Sequence, residues 1–352
     1  MSSGTIPWID SAKGVGILLV IIGHSFPPAL LRDLIFAFHV PLFFFVSGYL
    51  FNYQKYRAHF SGFLVQKVRR IVYPYLFAFL LSYMLWLAVI CVLDASVVSG
   101  EYTARSPVSG LLSVLYGNGA ALHDALAAYI LVHNQPLWFL AALFCGLIVL
   151  YSIAAVADAH GEAIGLCCTA ALILAGYLAG RIVFLPWGFD IALLALGFLY
   201  PGYLARKHGV LERPPGMLAL FLAAAAFAAA VLYNGPVDMN CRQYGSLPLF
   251  FAGALAGIFL VIAVLQWVEG CGVPTRVLSF FGINSLIIFA FHGFASGYAM
   301  GLLRILQPDV HLLIAGSWIL SSTFSILLSL AVTLVLMRTP WIRGIFSAPA
   351  AA

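Results

Sequence analysis

The sequence predicts an all-α fold: a polytopic integral membrane helical bundle of about ten transmembrane helices. Three observations carry this. Of the 352 residues, 63% are hydrophobic and 8% charged, with a mean hydropathy of +1.05. A soluble domain carries about 25% charged residues, so water cannot be the solvent for most of this surface. Apolar stretches of near-spanning length recur near 14–31, 34–51, 71–97, 136–157, 163–184, 188–205, 216–234, 246–268, 279–303 and 311–337, and a helix of such length crosses about 30 Å of hydrocarbon. Finally, stretches such as Ala219 to Val231 lack the alternation of lipid-facing strands.

The first span follows Trp8-Ile9-Asp10-Ser11-Ala12-Lys13 and runs without a charge from Gly14 to Gly23, where His24 interrupts it. At a helical rise of about 1.5 Å per residue, His24 stands roughly 16 Å above Lys13, beyond the midplane of the hydrocarbon core. The lone Lys13 is offset by Asp10 and the second span follows at once, unlike a cleaved signal peptide. That second span is aromatic-rich and carries His39 near its start. A basic segment near 52–70 precedes the third. The polar interval near 98–135 holds Gly110, Gly117, Gly119 and the weakly apolar Ala120 to Val132, expected to form a re-entrant or surface helix. It ends in His133-Asn134-Gln135-Pro136-Leu137-Trp138, bringing amides and an indole to the start of the fourth span. The remaining spans are joined by short connections. The expected organisation is a single membrane-embedded domain over 1–352, with no fixed-period repeat and no paired broken segments of an inverted-repeat transporter. The six cysteines form no CxxC pair and are expected as small core hydrophobes.

Charge sets the orientation. With the N-terminus cytoplasmic, twelve bases fall inside: Lys13, Lys55, Arg57, Lys67, Arg69, Arg70, Arg206, Lys207, Arg213, Arg276, Arg338 and Arg343. Five fall outside: Arg32, Arg105, Arg181, Arg242 and Arg304. This satisfies the positive-inside rule and places both termini in the cytoplasm. The net charge of +5 follows from the same bias and gives no reason to invoke nucleic acid. The topology puts His24 and His39 in the outer half of the bundle, near enough to share a cavity unless Pro27, Pro28 or Pro41 breaks a helix.

Ionisable groups inside a membrane mark working sites, so His24 and His39 are the first candidates for chemistry. A hydroxyl is a poor nucleophile until something takes its proton, and an imidazole kept neutral by an apolar site does this well. Attack by the imidazole itself, through a transient acyl-histidine, is the alternative. Asp10 and Lys13 stand at i and i+3, where they can pair; Lys13 also serves as an interfacial anchor. Lys67, Arg69 and Arg70 suit phosphate groups as readily as they anchor topology. His59, His123, His133, His160, His208 and His311 lie in or near loops and receive no catalytic role.

Several blocks together resemble the acyltransferase-3 family, and more closely its fucose 4-O-acetylase-like branch. They are Trp8-Ile9-Asp10-x-x-Lys13-Gly14, Gly23-His24, Phe38-His39-Val40-Pro41-Leu42-Phe43-Phe44 and Ser47-Gly48-Tyr49-Leu50-Phe51. Lys67-x-x-Arg70 leading to Pro74-Tyr75, Leu137-Trp138-Phe139-Leu140, and Gly282-x-Asn284-Ser285 with His292 downstream extend the resemblance over most of the chain. It implies about ten helices and an acyl donor taken from cytosolic acyl-CoA, usually acetyl-CoA, with sugar hydroxyls of surface or secreted glycans as acceptors. It sets His24 on the family's motif histidine and puts Asp10 and Lys13 at the active-site mouth; His39, the second catalytic candidate, could bind the acceptor, orient His24 or share a proton with it. Trp138, Asn134 and His292 become acceptor-binding candidates, and Lys67, Arg69 and Arg70 the groups that hold coenzyme A.

Other chemistries leave no trace: no HxxxxD pattern, no GxSxG elbow, no P-loop and no metal-ligand spacing. The sequence therefore reads as a multi-pass inner-membrane O-acyltransferase with no permanently bound cofactor and no metal. Acyl-CoA is its co-substrate, a glycan or lipid-linked sugar its acceptor, and membrane lipid and polysaccharide-assembly proteins its further partners. The esterase-like domain that some family members append is not expected here. The competing reading is a transporter or flippase for a glycan or lipid-linked intermediate, which would leave the thioester intact.

Overall fold

A computed structural model of the chain describes residues 6–92, 107–120, 134–212 and 214–346. Among them the secondary structure is helical and no strand forms; Asp238 and Gln243 make an isolated bridge. In chain order the helices are α1 (Pro7–Gly23), α2 (Ala29–Phe36), α3 (His39–Tyr49), α4 (Phe60–Lys67), α5 (Tyr73–Val92) and α6 (Pro107–Tyr116). There follow α7 (Trp138–His160), α8 (Glu162–Gly180), α9 (Phe189–Leu194), α10 (Leu196–Lys207), α11 (Met217–Tyr233) and α12 (Leu247–Gly270). The last are α13 (Arg276–Ile283), α14 (Ser285–Leu306), α15 (Pro308–Ala315), α16 (Trp318–Leu336) and α17 (Pro340–Phe346).

Seven of these segments are long and apolar enough to cross a membrane, or eight if the bent pair Pro186–Leu194 and Leu196–Lys207 is one span. Two of the ten expected spans, now α1 and α11, are 17 residues each, near the short limit for spanning. The protein is a multi-pass membrane protein. Of the expected helix or re-entrant segment at Ala120 to Val132, all but Ala120 lies outside the described residues, as do His123 and His133.

The first two spans are cut differently from the hydropathy profile. Pro7 at the first position and Asp10 in the first turn start α1 well before the uncharged run. The helix ends at Gly23, with Phe26 at φ +55 and then Pro27 and Pro28. His24 therefore caps α1, where the profile had put it several residues inside a span. A second break, at Ala37 and Phe38, separates α2 from α3 and makes His39 the first residue of its helix. Pro41 sits in the first turn of α3 and breaks nothing.

The chain divides into two compact units. One comprises 1–55, 149–173 and 194–285; the other comprises 56–148, 174–193 and 286–352. In the first, two reciprocal glycine contacts set the packing. A Cβ on Gly14 of α1 would stand 2.0 Å from the Leu278 carbonyl oxygen of α13, and one on Gly282 of α13 would stand 1.7 Å from that of Asp10. Likewise a Cβ on Gly48 of α3 would meet the Leu199 oxygen of α10 at 2.0 Å, and one on Gly202 of α10 the Phe45 oxygen at 2.2 Å. Small residues let helices approach backbone to backbone, the usual way to gain contact where lipid offers no hydrophobic drive. Ser11 adds a polar tie, 3.2 Å from Glu269 and 3.3 Å from Ser279.

In the second unit Tyr75 donates to the Val114 oxygen (3.0 Å) and Tyr116 to the Phe184 oxygen (2.8 Å), fixing α6 to its neighbours. The six cysteines are free thiols, and none is buried; Cys91, Cys167, Cys241 and Cys271 are exposed. The expectation of core cysteines fails: Cys241 and Cys271 lie in connections, and for the four on helices lipid, like a core, is an apolar solvent. Small apolar side chains gain nothing by facing inward there.

Candidate active site

The first unit holds four of the candidates. His24 is exposed at the end of α1, its backbone N–H bonded to the Val20 oxygen at 3.1 Å. Its ring stands 5.8 Å from that of Phe36, edge-on, and Phe36 also neighbours His39, 4.9 Å away. His39 is 3% exposed, with Nδ1 2.8 Å from the Ile35 carbonyl oxygen. A carbonyl only accepts, so Nδ1 carries the hydrogen and a neutral His39 keeps its lone pair on Nε2. The two imidazoles thus share one apolar neighbour, one accessible and one enclosed. Arg32 lies over Phe36 at 5.0 Å. Asp238 and Arg32 are the charged groups whose fields reach His24. The breaks at Pro27–Pro28 and at Phe38 do not separate the pair; they make it, because both rings sit at helix ends that meet at Phe36.

Asp10 and Lys13 pair on one face of α1 at 2.6 Å, each about a quarter exposed. They occupy the end of α1 opposite His24, as their spacing required.

Three more candidates meet in the second unit. Asn134 is 2% exposed and its amide donates to the Ala290 oxygen of α14 at 2.7 Å. Trp138 opens α7, is 8% exposed, and sets its ring perpendicular to that of Phe139. Phe139 lies 5.2 Å from Phe289, which lies 6.0 Å from His292. His292 is 3% exposed, with Nδ1 2.9 Å from the Phe289 oxygen. The segment before α7 and the first turns of α14 therefore bring Asn134, Trp138 and His292 into one cluster, a proximity that separations of more than 150 residues could not announce. Trp138 offers little open face, so a sugar ring would reach it only from within the fold.

Lys67 ends α4, its ammonium 5.4 Å from the Phe63 ring centre, and Arg69 and Arg70 sit exposed on a π-helical turn, Val68–Val72. A π turn is rare and frequent at functional sites.

One buried acid escaped the sequence reading. Asp190, 1% exposed, accepts the Leu185 N–H at 3.1 Å and steadies the turn where Trp187 takes φ +58. Trp187 is packed by Tyr75 at 5.6 Å and Phe144 at 5.9 Å. An acidic side chain within the apolar stretch near 188–205 was the available signal. Among the described residues no group of His, Cys, Asp and Glu could hold a metal ion.

The model of the acyltransferase domain matches residues 6–338, nearly the whole chain. The chain belongs to the acyltransferase-3 family, and the protein is a membrane acyltransferase. No curated protein and no solved structure matches it significantly. Membership removes the transporter reading.

Proposed function

We propose that the protein is an O-acetyltransferase, within the fucose 4-O-acetylase-like branch of its family, that moves the acetyl group of cytosolic acetyl-CoA to a sugar hydroxyl of a surface or secreted glycan. The observation that carries this is the accessible His24 beside the enclosed His39. His24 takes the proton of the sugar hydroxyl as that oxygen attacks the thioester carbonyl; the carbon–sulfur bond breaks and the proton passes to the departing thiolate. His39 orients or shares the proton. Asp10 and Lys13 form the mouth on the donor's side. Lys67, Arg69 and Arg70 hold the phosphates of coenzyme A, for which guanidinium forks are well shaped. Asn134, Trp138 and His292 contact the acceptor, a glycan or lipid-linked sugar handed on by polysaccharide-assembly proteins. Acetyl-CoA is a co-substrate, and no resident cofactor is required.

The test is transfer of label from [14C]acetyl-CoA to surface polysaccharide by purified protein, with mass spectrometry to locate the added acetyl group. His24→Ala should insert at wild-type levels and lose transfer by roughly 10²- to 10⁴-fold. Full activity in that variant removes the proposed mechanism. Label held on wild-type protein without acceptor, and absent from His24→Ala, would select the acyl-histidine route over direct transfer.

A further inference from the structure

We propose that the cavity at the N-terminal end of α1 binds a zwitterionic phosphoester, the phosphoethanolamine headgroup of a membrane lipid. The proposal does not depend on the transfer reaction. The cavity, about 400 Å³, lies wholly in the first unit, between the start of α1 and the ends of α3, α10 and α12. Pockets of roughly 300–1,000 Å³ hold small ligands. Ile6, Trp8, Tyr49, Leu211 and Pro214 make its apolar wall, and Arg206, Glu212, Gln266 and Glu269 its polar one.

The polar groups differ in what they leave open. Gln266 spends its amide N–H on the Leu211 oxygen at 2.7 Å, fixing the loop that closes one side. Glu269 is oriented through one oxygen by Ser11 at 3.2 Å and Thr275 at 3.4 Å. Arg206 lays its guanidinium over the Tyr49 ring at 5.3 Å and makes no ion pair among the described residues. A stacked guanidinium keeps its in-plane N–H groups for an outside acceptor, and a phosphate matches that fork. Among the described residues, Lys13 is paired with Asp10, and Lys207 with Glu162.

The charge pattern chooses the ligand. One free base and two acids among the described lining residues fit a group that carries a phosphate and an ammonium together. The phosphate suits Arg206 and the ammonium suits Glu212 and Glu269. A donor bearing several phosphates would bring like charges against both carboxylates. The setting supplies the lipid. Trp267 is 67% exposed near the end of α12 and Met217 82% exposed at the start of α11, apolar groups of the kind that suit the boundary between headgroups and acyl chains.

The test uses full-length protein in neutral detergent, with phosphatidylethanolamine, phosphatidylglycerol or phosphatidylcholine in mixed micelles at equal mole fraction. Native mass spectrometry reads retained lipid. Phosphatidylethanolamine should be retained over the other two, and Arg206→Ala should reduce that retention about tenfold, the loss of one charge-assisted contact. Arg206→Lys, which keeps the charge and loses the fork, should fall between and serves if the alanine variant misfolds. Glu212→Gln with Glu269→Gln should erase the preference over phosphatidylcholine. Glycerophosphoethanolamine, lacking acyl chains, should compete poorly; competition equal to that of the lipid rejects the lipid as occupant. Equal retention of all three lipids, or unchanged retention in both sets of variants, would sink the proposal. So would displacement of phosphatidylethanolamine by coenzyme A that disappears in Arg206→Ala, which would give the cavity to the donor.

Discussion

His39 and His24 flank one phenylalanine ring and are separated in role by what their nitrogens touch. Nδ1 of His39 is committed to the Ile35 oxygen at 2.8 Å, so any chemistry falls to Nε2. Asparagine sets a donor where Nδ1 stands, and glutamine sets a polar atom where Nε2 stands. His39→Asn should therefore keep the wild-type melting temperature and lose transfer by more than tenfold, whereas His39→Gln should lose stability first. A His39→Asn variant with full activity would reduce this residue to a packing role. At the other candidate site, removing one guanidinium from the π turn tests the phosphate contacts. Arg70→Ala should raise the Michaelis constant for acetyl-CoA about tenfold with little change in kcat, because a charge-assisted hydrogen bond is worth about 1.5–3 kcal/mol. An unchanged Michaelis constant with reduced insertion would leave Arg70 as a topology anchor.

At the scale of elements, the glycines of the motif blocks acquire a physical reason. Gly14, Gly48 and Gly282 were legible as part of a resemblance, but why glycine stands there was not. Each faces a carbonyl oxygen of a partner helix far away in sequence, at a distance that admits no Cβ. Alanine at Gly48 or Gly282 must push two helices apart, which costs about 1–3 kcal/mol or more when the obstacle is backbone. Gly48→Ala and Gly282→Ala should lower the melting temperature in detergent by several degrees or prevent accumulation. Gly270→Ala, where a Cβ would meet nothing within 4 Å, should behave as wild type. Equal behaviour of all three would mean these contacts do not set the packing. The helix ends were less legible for a related reason. Hydropathy averages over a window, whereas the end of α1 is decided by Phe26 at φ +55 and two prolines. The profile thus placed the residues of the site without placing the breaks that bring His24 and His39 to Phe36.

For the whole molecule, composition alone fixed the solvent, and the count of apolar stretches differed from the helices chiefly where a helix is 17 residues long. The clusters of the second unit were illegible because Asn134 and Ala290 meet through tertiary packing, with no periodic signal between them. Orientation is the property that sequence addresses and helical geometry alone does not. Twelve bases against five assign Lys13, Arg206 and Arg276 to the cytoplasm and Arg32 and Arg242 to the opposite side. In the first unit, Trp8, Tyr49, Arg206 and Glu269 line one cavity at one end of its helices, whereas His24, Arg32 and Asp238 gather elsewhere. Cys271 follows α12 on the first side, and Gln243 lies in the α11–α12 connection on the second; both are exposed. In chains retaining a single cysteine, Gln243→Cys should react with a membrane-impermeant maleimide on intact cells, and Cys271 only after permeabilisation. The reverse pattern would invert the bundle. It would put the basic π turn outside, away from cytosolic acyl-CoA, and the donor assignment of Lys67, Arg69 and Arg70 would fall with it.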